Sequence, residues 1–255
     1  MGLVNSTFSV KMATWNIHRG RGRDGRIDPD RTARAIEGDL APRAPDLLTL
    51  QEADTECPPH AGFLDIARIE SATGLRYAHG NKRLRWGPES HGFLGTIVFV
   101  APSWTVRAFD VIDLPGHCHR GAVVLDLEQD NAAFRVIATH LSLTQLLRIV
   151  QMRTIAQYLR RAEALPTVIL GDLNEWRPWG GAAFSRTVTE QTFAGPARAT
   201  FPASRPILPL DRILGGPSTK VLNTEAITTP RIRATSDHLP LFATVRFDGP
   251  SVAKE

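Results

Sequence analysis

The sequence predicts an α+β fold in which two sheets pack face to face with helices outside them. Apolar residues come mostly as short runs bounded by Gly, Pro, Asp or Asn, the pattern of strands, and such runs outnumber the helical ones. The clearest helical stripe lies in residues 144–161. No internal repeat or linker interrupts the 255 residues, so a single domain is expected, with its core from about residue 8 to 247.

Taken in order, Ser9 to Ile17 alternates as a first strand and ends in Thr14-Trp-Asn-Ile-His18, with Asn16 where strand gives way to loop. Gly20, Gly22 and Gly25 formally spell G-x-G-x-x-G in a basic loop. A dinucleotide site would start its helix inside that motif; here Arg26-Ile-Asp-Pro29 intervenes, and Asp28-Pro29 reads as an N-cap with Pro at the first helical position. The helix after it puts Ala33, Ile36 and Leu40 on one face. Asp46 to Glu52 is a second strand that empties into a carboxylate. Residues 61–73 read as a helix with Phe63, Ile66 and Ala67 inward, and 76–80 as a short strand. Residues 92–100 and 104–112 read as a strand pair joined at Ala101-Pro102. Arg120 to Leu127 and Phe134 to His140 are two more strands, turned through residues 129–131. The long helix follows, with Met152, Ile155, Ala156 and Leu159 on its core stripe.

Pro166 to Trp176 is a buried strand, Thr167 to Leu170, running into Gly171-Asp-Leu-Asn174. If the backbone stays extended, Asp172 and Asn174 point the same way and floor a polar site. The same residues taken alone also suit a turn closed by an Asx side chain. A Gly- and Pro-rich stretch reaches Pro209; Leu210 to Leu214 is a short strand carrying Asp211, and the loop Thr235-Ser-Asp-His238 leads to a last strand, Leu241 to Phe247.

Composition narrows the function classes. With 42% apolar residues the chain can bury a substantial core, and no run is long and apolar enough for a membrane helix. No signal-peptide pattern opens the chain. Met1-Gly-Leu-Val-Asn-Ser6 fits a myristoylation pattern so short that acylation is not expected. Cys57 and Cys118 are too few for a disulfide framework and read as free thiols of a cytoplasmic protein. The net charge of +4 is carried almost wholly by Arg, which suits phosphate recognition and serves solubility equally well.

Asn16, Glu52, His140, Asp172, Asn174, Asp211, Asp237 and His238 thus collect at strand ends, as for a single cleft. No G-x-S-x-G elbow, no H-E-x-x-H and too few cysteines argue against serine-hydrolase and zinc-hydrolase chemistry. Carboxylate and amide oxygens suit a hard cation such as magnesium, beside which histidines would hydrogen-bond phosphate oxygens.

Thr14-Trp-Asn-Ile-His18, Leu50-Gln-Glu52, Thr139-His-Leu141, Gly171-Asp-Leu-Asn174, Leu210-Asp-Arg-Ile213 and Ser236-Asp-His238 stand in the order seen in the endonuclease/exonuclease/phosphatase superfamily, which the chain resembles from about residue 10 to 247. The motif detail is most similar to small bacterial members of unassigned substrate. The resemblance implies a deoxyribonuclease I-like, four-layer α/β/β/α sandwich and a magnesium-dependent hydrolase of phosphoric esters, with manganese as the alternative ion. It implies Glu52 as principal metal ligand with Asn16 and Asp237 near the metal, Asp172 on the attacking water, and Asn174 on the phosphoryl oxygens. It further implies His238 braced by Asp211 for the developing charge, and His140 on the phosphate. Glu89 is the nearest candidate for an acidic partner to His140, unless another group serves. The implied substrate is a phosphate ester: nucleic acid, phospholipid headgroup or small phosphoester. No obligate protein partner is evident. Within the class a nuclease acting on DNA or RNA is the alternative; outside it, a catalytically silent binding module using the same cleft.

Overall fold

A computed structural model describes residues 6–116, 120–130 and 132–249. The Met1–Ser6 pattern (all but Ser6), Cys118 and residue 131 of the predicted turn lie outside them. Among the described residues, eleven strands form two sheets. The first comprises β1 (Ser6–Asn16), β2 (Leu47–Gln51), β3 (Arg76–Tyr77), β4 (Ile97–Val100), β10 (Thr219–Ala226) and β11 (Leu241–Gly249), in the order β10-β11-β1-β2-β4-β3. The second runs β5-β6-β7-β8-β9, from β5 (Thr105–Leu114), β6 (Arg120–Gln129), β7 (Ala132–His140), β8 (Thr167–Asp172) and β9 (Asp211–Gly215). Each sheet is mixed, with one parallel pair at its centre, β1 with β2 and β7 with β8.

Three apolar clusters fill the spaces between four layers. Val10, Met12, Leu47, Val136, Val168 and Leu170 meet between the sheets. On the outer face of the first sheet, Ala13, Trp15 and Leu48 pack under α1 (Pro29–Ala35), the π-helical turn Ile36–Leu40, α2 (Ile66–Thr73) and α5 (Pro230–Thr235). On the outer face of the second, Ile137 and Ile169 pack under α3 (Gln145–Arg161) and α4 (Arg186–Thr189). Each fully buried Leu or Ile contributes roughly 1.5–3 kcal/mol. The fold is the expected α+β sandwich with helices outside both sheets.

Local signals were obeyed where chemistry was specific. The Asp28 side chain accepts from the Arg31 amide at 3.1 Å, with Pro29 at the first helical position. Two expectations need correction, and two elements were missed. Residues 92–100 and 104–112 do not pair: β4 bonds to β2 and β5 to β6, in different sheets. Ala101-Pro-Ser103 lacks the residues of a tight hairpin and turns the chain from one sheet to the other. The helix predicted from residue 61 begins at Ile66, behind an Asp65 cap; Ala67 is exposed, and Leu64 and Ile69 fill the core. β10 is an edge strand of low apolar content in which Val221 and Thr224 are buried around a register irregularity, and it went unpredicted. The short α5 was also missed, although Thr229 and Pro230 cap it by the same chemistry as α1.

Candidate active site

Side chains at alternate positions of a strand share a face, so each row that fills the inter-sheet core can be followed to the end of its strand. Val10 and Met12 continue to Thr14 and Asn16; Val136 and Ala138 continue to His140; Val168 and Leu170 continue to Asp172; on β9, Ile213 leads back to Asp211. The parallel register of β7 and β8 sets His140 against Asp172, and the antiparallel register of β8 and β9 sets Asp172 against Asp211. The hydrophobic core therefore turns polar at one end of the sandwich, and the turn is made by the predicted residues. Behind them Gln51, Thr49 and Thr14 bond one another in the first sheet, the Gln51 amide donating to the Thr14 hydroxyl at 3.0 Å.

Asp172 is the meeting point. Its Oδ2 accepts from Asn16 Nδ2 at 2.9 Å, lies 3.3 Å from His140 Nε2 and 3.7 Å from His238 Nε2, while Oδ1 accepts the Asn174 amide at 3.0 Å. His238 Nδ1 donates to Asp211 Oδ2 at 2.8 Å. The Phe201 ring packs against the His238 ring with centroids 4.9 Å apart.

The two histidines are driven in opposite directions. Burial opposes charging His238, but the Asp211 and Asp172 carboxylates outweigh it and raise its pKa to about 10. Burial lowers His140 well below the ordinary histidine value, and the Arg120 guanidinium adds to the effect. Arg120 Nη1 lies 3.0 Å from His140 Nδ1 and can only donate, so the His140 proton sits on Nε2, facing Asp172. Burial raises Asp172 to about 6, against the pull of His238. The acid at His140 is thus Asp172 rather than Glu89.

Two further residues depart from the extended backbone that alternation assumes. Glu52 has φ +59° and Asn174 φ +51°, left-handed values rare for side chains other than Gly. Asn174 accordingly closes an Asx turn on Asp172 and donates from Nδ2 to the Leu141 carbonyl at 2.9 Å. The turn reading of this segment holds, and the extended backbone that would point Asp172 and Asn174 the same way does not. Gly171 makes the close approach: at φ +142°, a Cβ there would overlap the Thr139 carbonyl of β7.

Glu52 leaves its strand toward a cavity of about 350 Å³ that His140 and Arg120 also line. Its Oε2 accepts from Arg19 Nη1 at 2.6 Å and its Oε1 lies 3.4 Å from Asn16 Nδ2. Asp237 is set apart, lining a neighbouring cleft of about 220 Å³ with its Oδ1 3.5 Å from His18 Nδ1. Ser236, next to it, ties this loop to the Asn16 carbonyl at 2.8 Å. Asp172, Asp211 and His238 form a buried group whose ligand-type atoms lie within 4.8 Å of one another. Within this group His238 donates to Asp211 at 2.8 Å and stands 3.7 Å from Asp172.

Arg120 and Arg19 were not read as site residues. Arg19 was visible only as part of a basic loop. Arg120 begins β6, whose register pairs Ala122 with Thr139, and this brings the guanidinium beside His140. Strand pairing, which a single sequence does not state, was the missing signal.

No curated protein matches the sequence. Among solved structures, the chain is similar to an endonuclease/exonuclease/phosphatase from Bacteroides vulgatus, at 16% identity and TM-score 0.69, covering 94% of this chain and 99% of that one. It is similar to TDP2 from D. rerio, solved with a single-strand DNA product, at 16% identity and TM-score 0.68 over 93% and 98% of the two chains. It is also similar to an endonuclease/exonuclease/phosphatase from Beutenbergia cavernae, at 21% identity and TM-score 0.64 over 96% and 73%. The model of the Endonuclease/Exonuclease/phosphatase family matches residues 13–238, from β1 through the loop that carries His238. By a match that spans both sheets and every strand end described above, the chain belongs to the endonuclease/exonuclease/phosphatase family.

Proposed function

We propose that the chain is a metal-dependent phosphoesterase that hydrolyses a phosphodiester or phosphomonoester by in-line attack of water. The observation that carries this reading is the convergence on Asp172 of two histidines, His140 kept neutral by burial with Arg120 at its Nδ1, and His238 kept charged by Asp211 and Asp172. Pairs of titratable groups pushed apart in this way are what acid–base work at neutral pH requires.

The donor set fits a hard cation. Glu52 already draws a cation, the Arg19 guanidinium, and the buried Asp237 Oδ1 accepts no hydrogen bond. Glu52 would hold the metal with Asn16 beside it, and Asp237, which lines the neighbouring cleft, would reach it through water. When bound, magnesium supplies charge neutralisation at the phosphoryl oxygens. Asp172 receives the proton of the attacking water or orients that water; a carboxylate has room for a further donor beyond the two hydrogen bonds it accepts from Asn16 and Asn174. His238, held charged by Asp211, faces negative charge that grows on the phosphoryl or leaving group. His140 offers a neutral ring held by Asp172 and Arg120, and Asn174 keeps one amide hydrogen for a phosphoryl oxygen beyond the one given to Leu141.

The test is turnover of a soluble phosphodiester with magnesium or manganese, followed by a panel of nucleic acids, phospholipids, inositol phosphates and nucleotides. Asp172→Asn and His238→Ala should each abolish turnover while leaving the circular dichroism spectrum intact, and chelation should do the same reversibly. Undiminished turnover in either purified variant refutes the assignment. A nuclease would announce itself within the panel by steep salt dependence of nucleic-acid binding.

A further inference from the structure

The loops that leave the site end of the sandwich carry large apolar side chains into solvent. Leu143 (74% exposed) and Leu146 (78%) follow β7, and Trp176 (52%) and Trp179 (77%) follow β8. His140 and Asp172 end those same strands, so each site residue is followed within a few positions by an exposed apolar pair. Ile27, in the loop region after β1, and Ile207, before β9, are exposed at this end as well. Isolated exposed apolar residues need no explanation, but several on the loops of one sheet end do.

The set stands on a rigid base. Glu175 is fully buried and accepts from Arg177 Nε at 2.7 Å and Nη2 at 2.8 Å, with Arg148 Nη2 at 3.4 Å. Arg148 also donates to the Leu143 carbonyl at 2.6 Å, and Arg177 Nη1 to Gln145 Oε1 at 2.9 Å. The β7–α3 and β8–α4 connections are thereby cross-tied beneath the residues they expose. Across the mouth, the loop after β1 exposes Arg21, Arg23 and Arg26, with Asp24 among them.

We propose that this end of the protein docks on an anionic lipid bilayer, and that the phosphoester it hydrolyses is presented at that surface. The docking does not depend on the phosphoesterase reading; only the nature of the substrate rests on it. Aliphatic and Trp side chains beside exposed arginines are the combination that enters a headgroup boundary and meets lipid anions. Single-stranded nucleic acid fits less well, because Leu143, Leu146, Ile27 and Ile207 have no π-face on which a base could stack. A bilayer, unlike a second copy, presents phosphoesters to this end of the sandwich.

The experiment is co-sedimentation with vesicles of equimolar phosphatidylglycerol and phosphatidylcholine, comparing wild type with a Leu143→Asp, Leu146→Asp double variant. Leu146 lies in the first turn of α3, where an acidic residue suits the helix, and neither position belongs to the catalytic group. Partitioning should fall roughly ten-fold or more in the variant. Wild-type tryptophan emission should shift to the blue on vesicle addition, less so in Trp179→Ala. Turnover of a soluble phosphodiester should be the same in both chains. No wild-type binding, or equal binding by wild type and variant, overturns the proposal; so does retention on single-stranded oligonucleotide without vesicle binding, or self-association that the double variant abolishes. A chain that hydrolyses the soluble ester but ignores vesicles refutes the docking alone, and one that binds vesicles but hydrolyses nothing refutes the phosphoesterase reading alone.

Discussion

Acid should destabilise this protein through one histidine that takes no part in the site. His79 is fully buried after β3, where Nδ1 donates to the Leu84 carbonyl at 2.6 Å and Nε2 accepts the Val98 amide at 3.0 Å. A carbonyl only accepts and an amide only donates, so the ring is neutral and its tautomer fixed. Burial, the dominant cause, lowers the pKa from 6.5 to about 4. Between these values the unfolded chain binds a proton that the folded chain refuses, so this contribution to stability is complete above pH 6.5 and is lost as pH falls toward 4. The full difference corresponds to roughly 3 kcal/mol at 1.36 kcal/mol per pKa unit. At pH 5, where the unfolded histidine is almost wholly protonated and the folded one mostly is not, about 2 kcal/mol of it has gone. The assay is urea unfolding at pH 8 and pH 5 for wild type and His79→Gln, with the midpoints converted through a shared m-value. The wild type should lose about 2 kcal/mol more than the variant across this interval. Parallel pH dependence in the two proteins would refute the reasoning, as would an imidazole titrating near 6.5 by NMR in the native state.

Asp211→Asn should lower kcat by roughly 10²–10⁴-fold, the usual worth of a positioned acid or base, and should move the alkaline limb of the pH–rate profile toward neutrality as His238 loses its carboxylate; unchanged kcat and profile would show that the 2.8 Å bond is architectural only. Gly171→Ala should cost roughly 1–3 kcal/mol, because the added methyl must displace the Thr139 carbonyl between paired strands. A melting temperature equal to wild type would show that β7 and β8 can separate without cost.

Much of this site could be read before the strands were paired. Val168-Ile-Leu170 running into Gly171-Asp172 announces a buried strand with a polar end, and the same logic found Asn16, His140 and Asp211. It worked because those residues continue core rows at the strand's own period. It misdescribed Asn174, whose backbone leaves the extended region, and it put Glu52 at its strand end without the left-handed conformation that turns it toward the cavity. Arg120 was beyond reach for a different reason: its role depends on which residue of another strand lies opposite. The pairing assigned to residues 92–100 and 104–112 failed on the same ground, since two apolar strands separated by a short connection can share a sheet or divide between two.

Because the polar end of the cleft continues the rows of the inter-sheet core, catalysis and folding share one phase. A single-residue insertion between Val168 and Leu170 would send Asp172 to the helix-covered face and bring Gly171 inward, and it would reverse the rest of the strand as well. Length changes in these strands are therefore barred twice over. The loops beyond the strand ends carry no such phase, and it is there, around a fixed chemical centre, that this architecture can lengthen, shorten and acquire new surfaces.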